Sequence, residues 1–183
     1  VYRDPSGQSF LASAAELREQ LECALQSADP NGTDPALNDG ILVGHSLGGL
    51  LSKLLVTESK DNLWKAVANK PVSAIRMPSN IDREVRRAFF FSPSKRISRV
   101  VFVGTPHKGS VTANRLVGRI GSALVELPEE RKRAHQQLIA CNPDTFSPEI
   151  QRRIPTSIDL LEPESCLLQA IGNLPVIPSV ELH

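Results

Sequence analysis

No run of 18 or more apolar residues occurs in this 183-residue chain, so no segment is built to cross a membrane as a helix. Cysteine is scarce: Cys23, Cys141 and Cys166 are an odd number, lie far apart and form no C-x-x-C pair. That spacing argues against a disulfide framework or a cysteine-held zinc site, and the three thiols read as small apolar filler on helices. Aromatic residues are only 4% of the chain and do not interleave with its basic stretches. A stacking platform for nucleic acid is therefore not expected. The Lys-Ser/Thr pair of a P-loop and the third glycine of a dinucleotide site are also missing, which sets phosphate-cradling turns aside. The chain starts at Val1 rather than Met, so the lack of a signal peptide at its start excludes nothing.

What is present is an ordinary globular composition, 40% hydrophobic and 22% charged, enough for one domain with a real core. Net charge is +1 but uneven: residues 1–61 carry −5 and residues 62–115 carry +9. The basic middle reads as a solvated helix face, or as a surface for peripheral contact with a membrane or other lipid surface.

The most informative stretch runs from Asp39 to Leu51. Ile41 to Val43 reads as a buried strand, and Leu50, Leu51, Leu54 and Leu55 recur at helical spacing. Between them lies Gly44-His45-Ser46-Leu47-Gly48-Gly49, a G-x-S-x-G turn in the strand–turn–helix context that a nucleophile elbow requires. Such a turn holds its serine in a strained conformation with the hydroxyl clear of the sheet. Gly44 and Gly48 are expected where a Cβ would collide with the neighbouring strand or helix. The backbone N–H of Leu47, at the positive end of the helix, would meet an oxyanion. His45 reads as a packing residue, because neighbours along a strand point to opposite faces.

These residues resemble the α/β-hydrolase fold, and more narrowly its lipase and esterase-like members. A second stretch supports the likeness. Arg99 to Val103 reads as a buried strand and runs into Gly104-Thr105-Pro106-His107-Lys108-Gly109-Ser110, similar to the segment such proteins carry after the strand following the elbow. The resemblance implies a mostly parallel sheet with flanking helices, a serine nucleophile at Ser46, and Thr105 and His107 at the pocket edge. It implies no cofactor and no metal. It also implies a helical cap or lid insertion at about 114–165, with a helical crossover and ragged loop as the alternative.

The remaining chain reads as helices and short linkers. Ser13-x-x-Glu16 has capping-box spacing before an amphipathic helix carrying Leu17, Leu21, Ala24, Leu25 and Ala28. The elbow helix fades near Glu58 to Asp61. Leu63 to Val67 suggests a short helix, and Ser79-Asn80 would cap another from Ile81 to Phe91. Ala113 to Leu127, Glu129 to Ala140 and Ser165 to Ile171 read as further helices, and Pro175 to His183 as the approach to a third strand.

A serine nucleophile needs a base and usually an orienting carboxylate, in the chain order Ser, Asp or Glu, His. Downstream histidines are His107, His135 and His183. His135 sits in a charged stretch and is expected to face solvent. His183 ends an apparent strand rather than following one, and His107 belongs to a segment that is structural in the resembling proteins. The expectation is an internal piece of a larger hydrolase, incomplete at both ends, with acid and histidine beyond residue 183. Two functions follow: a serine hydrolase of carboxylic esters with apolar or lipid-like acyl groups, and a non-catalytic module of the same fold binding a hydrophobic ligand or protein partner. An acyltransferase or thioesterase would use the same elbow.

Overall fold

In the computed structural model the described residues are 9–109, 129–152, 154, 159–162 and 164–183. They form an α/β arrangement around a small parallel sheet. The expected helix Ala113 to Leu127, and Ser110 of the second motif, lie outside the described residues.

Strand β1, Gly40–His45, pairs in parallel with β2, Ile97–Val103, and β2 pairs in parallel with β3, Glu181–Leu182, giving the order β1-β2-β3. Parallel neighbours need long crossovers, and helices supply them. Helix α1, Phe10–Ala28, precedes the sheet. Between β1 and β2 lie α2, Leu47–Leu55, α3, Asn62–Val67, and α4, Ser79–Phe89. Between β2 and β3 lie α5, Glu129–Cys141, α6, Pro148–Arg152, and α7, Cys166–Asn173.

The sheet is buried on one side only. Leu42, Val100 and Phe102 face inward, where Val100 is fully buried against Val56 and Val180. Ile41, Val43 and Val103 lie on the other side and are 54%, 69% and 45% exposed. The run Ile41 to Val43 is therefore not the fully buried strand its composition suggests. It alternates, because no described helix lies over its outer face.

The main core is assembled by helices. Leu50, Leu51 and Leu54 of α2 meet Phe10, Leu11 and Ala14 of α1, Leu63, Trp64 and Val67 of α3, and Leu167, Leu168 and Ile171 of α7. Trp64 is its aromatic hub: its ring meets Phe89 edge-on at 5.4 Å, and its indole N–H donates to the Lys70 carbonyl at 2.7 Å. Leu138, Ile139 and Ile150 of α5 and α6 also pack on this core, so these parts of the 114–165 stretch share the apolar interior.

Several boundaries differ from the sequence reading. Helix α1 starts at Phe10 with Ser9 at its N-cap, and Ser13 is a buried residue of its first turns rather than a cap. Burial of Phe10 and Leu11 draws the helix start forward past the capping-box pattern. Helix α4 begins at Ser79 and is preceded by Pro78, whose fixed φ sets up the helix without a side-chain cap. Helix α2 stops at Leu55, because Thr57 leaves it to bridge Val176. Cys23 and Cys141 are exposed rather than core filler. Only Cys166 is half-buried, with its Sγ 3.1 Å from a Glu149 carboxylate oxygen, and burial pushes its pKa up to about 11.

Candidate active site

Ser46 stands between the last residue of β1 and the first residue of α2 with φ 53° and ψ −126°. A side chain in this region costs on the order of 1–3 kcal/mol and persists only where its surroundings fix it. Here three contacts fix it. The Ser46 N–H donates to the Val103 carbonyl at 2.8 Å, extending the β1–β2 ladder by one residue. Its own carbonyl accepts from the Gly49 N–H at 3.0 Å, which closes the first turn of α2. The third contact is the close approach of strand and helix behind the serine.

That approach is set by Gly44 and Gly49. A Cβ on Gly44 would lie 2.5 Å from the Gly49 Cα and 2.7 Å from the Gly48 carbonyl oxygen. A Cβ on Gly49 would run into Thr105, whose own Cβ would be only 2.8 Å away. At Gly48 a Cβ would meet nothing within 4 Å. The expectation that Gly48 is sterically required is thus corrected. The tight position is one residue further on, because Gly49 is the residue of the α2 first turn that faces the strand side.

The Ser46 side chain is half-buried and makes no cap hydrogen bond to α2. Leu47 and Gly48 lie in the first turn of α2, where the helix itself offers their N–H groups no acceptor. The hydroxyl and these donors sit together at the C-terminal end of a parallel strand, the usual place for ligands on such sheets.

Thr105 stands over the elbow, its Oγ1 3.4 Å from the Gly44 carbonyl oxygen. His107 turns away from it. Its ring packs edge-on against Phe102 at 4.6 Å and lines a cavity beside Lys53 and α7. Partial burial, helped by the Lys53 charge, holds its pKa below the ordinary 6.5.

The other imidazoles are placed elsewhere. His45 is exposed on the uncovered face of β1, so it packs on nothing of note beside the nucleophile. His135 does not face solvent as expected: it is half-buried, 2.7 Å from the Ile150 carbonyl oxygen, and lines the apolar cavity among Trp64, Phe89 and Phe146. Leu138 and Ile139 on the same helix turn that side inward, which the charged flanks conceal. His183 lies 3.6 Å from the Glu181 carboxylate, which also pairs with Arg99. Among the described residues, no imidazole is hydrogen-bonded to Ser46 Oγ, and none form a cluster of three or more metal-ligating side chains.

The sequence reasoning missed Lys53, one turn beyond Gly49 on α2, because a lysine within a leucine-rich helix reads as a solvent-facing position. In the fold it is only 8% exposed. No protein-family model matches this chain, and no curated protein is significantly similar to it.

Proposed function

We propose that the chain carries the nucleophile of a serine hydrolase of the α/β-hydrolase type, acting on carboxylic esters with apolar or lipid-like acyl groups. The observation that carries this reading is the backbone of Ser46, a non-glycine residue at φ 53° between a parallel strand and a helix N-terminus. Lys60 and Asp144 also have positive φ, but only Ser46 of the three stands between a parallel strand and a helix N-terminus, where such strain makes it the candidate site.

In the proposed reaction Ser46 Oγ attacks the ester carbonyl carbon and gives up its proton to a general base. The carbonyl oxygen becomes an oxyanion that takes a hydrogen bond from the Leu47 N–H, a contact whose loss costs about 3–4 kcal/mol in enzymes that use one. Expulsion of the alcohol leaves an acyl-enzyme, and water then releases the acid. No described side chain fills the role of base. That observation favours a second reading, a non-catalytic module in which the elbow is architecture alone.

Fluorophosphonate labelling separates the two. The reagent phosphonylates an activated serine and spares an ordinary one. Label recovered on the Ser46 peptide, and lost in Ser46→Ala, supports the hydrolase. The labelling is done on the protein expressed from its complete reading frame, so that any base outside these residues is present; if that folded protein takes no label on Ser46, the hydrolase is overturned and the binding module is left.

A further inference from the structure

Lys53 is the least expected charge in the molecule. Its side chain is 8% exposed, and its ammonium donates to one acceptor, the Gly172 carbonyl in the last turn of α7, at 2.7 Å. An ammonium carries three N–H donors, so two are left over. Among the described residues no carboxylate lies within ion-pairing distance of it. Buried charges are ordinarily paired, because removing an ion from water is costly unless another charge and further hydrogen bonds offset it. A cation at a helix C-terminus recovers part of that cost through the helix dipole. It does not account for the remaining donors.

What Lys53 faces is a cavity of about 430 Å³ between α2, α7 and the loop after β2. Its wall includes Lys108, an exposed second cation, the His107 ring, and Asn173, whose carboxamide can donate. Leu168 also lines it. Among the described residues, no acidic residue is part of the wall. Among the described residues, then, the cavity is lined by two lysines and neutral polar groups and by no carboxylate.

We propose that this cavity binds the oxyanion group of a small acidic ligand, a phosphate or a carboxylate, seated between Lys53 and Lys108. The anion would take up the spare donors of Lys53 and supply a counter-charge that no described residue gives it. A charge-assisted hydrogen bond to a buried cation is among the stronger polar contacts available. The site does not depend on the hydrolase reading, since binding is measured without turnover.

The test is calorimetric titration of the whole chain at low ionic strength with inorganic phosphate and, separately, with acetate. NMR of the histidine ring resonances is followed in parallel. The expected result is saturable binding of at least one anion, with the His107 resonance moving and the exposed His45 resonance still. Saturation by phosphate alone assigns a phosphate group, and saturation by acetate alone a carboxylate. Lys53→Met should weaken binding about tenfold or more, the scale of a lost charged hydrogen bond. Lys108→Ala, a change at an exposed residue, should weaken it by less and keeps the test open if Lys53→Met does not fold. Failure of both anions to saturate, or binding that leaves His107 unmoved, overturns the proposal. So does affinity unchanged in the folded variants.

Discussion

Gly49 and Thr105 touch with no room for a methyl group between them, and this contact rather than the Gly48 position sets how closely the elbow helix approaches the end of β2. The neighbouring Gly44 is held equally tightly against the Gly49 backbone. The two glycines and the threonine therefore act as one spacer behind Ser46.

Gly49→Ala should cost about 1–3 kcal/mol, the range for forcing a methylene into a filled site. Gly48→Ala should be neutral or stabilising by up to about 1 kcal/mol, since alanine is the better helix former and the space is open. Chemical denaturation of the two variants measures the contrast. Equal midpoints would contradict the spacer.

Ser46→Gly should stabilise the chain by on the order of 1 kcal/mol, because glycine reaches φ 53° without strain. Ser46→Ala keeps the Cβ and should bring no such gain. Both remove the hydroxyl and so both should abolish fluorophosphonate labelling. Thermal melts of the three proteins, at one pH, decide this.

The one-sided sheet predicts a sharp asymmetry in mutational cost. Val100→Ala, at a fully buried position on the inner face of β2, should destabilise by about 2 kcal/mol. Val43→Ser, at a position 69% exposed, should stay within about 0.5 kcal/mol of the parent. Unfolding can be followed by fluorescence of Trp64, the single tryptophan. A large loss at Val43 would mean that its face of the sheet is covered in solution.

His107 gives the fold a dependence on acid. Burial and the Lys53 charge favour its neutral ring, so its folded pKa lies below the ordinary 6.5. As pH falls through 6.5 the unfolded chain takes up this proton first, and stability is lost until pH passes below the folded pKa. Above 6.5 the residue makes no pH-dependent contribution. His107→Gln should flatten that acid limb and leave stability near pH 8 comparatively unchanged in its slope. Denaturant midpoints recorded across the acid and neutral range test the sign.

The strand–turn–helix around Ser46 was legible because its cues are local. A short apolar run, two glycines around a serine and a leucine repeat all sit within 17 residues, and the structure puts strand, strained serine and helix in that order. What escaped the sequence depends on distant partners. Gly48 and Gly49 look alike in the chain, and only Thr105, 56 positions beyond Gly49, distinguishes them. Ser13 matches a cap motif, but burial of Phe10 and Leu11 moves the helix start. Lys53 and His135 carry charge-bearing names into apolar company, so composition placed His135 outside and passed over Lys53. The sheet register was not readable either. Ile41 and Val43 are good strand residues whichever way they face.

The bond from the Ser46 N–H to the Val103 carbonyl also makes the serine's backbone conformation depend on a distant strand. Its two ends are 57 residues apart, and the pairing of β1 with β2 cannot be formed by a local turn. Closing a loop of that length costs chain entropy, which the contacts of the intervening helices have to offset. The strain at Ser46 is therefore tied to strand pairing: without Val103 in register, residue 46 loses the β1–β2 hydrogen bond that holds it. Residue 46 is thus held at its positive φ by a strand that lies 57 positions away and not by its own neighbours alone.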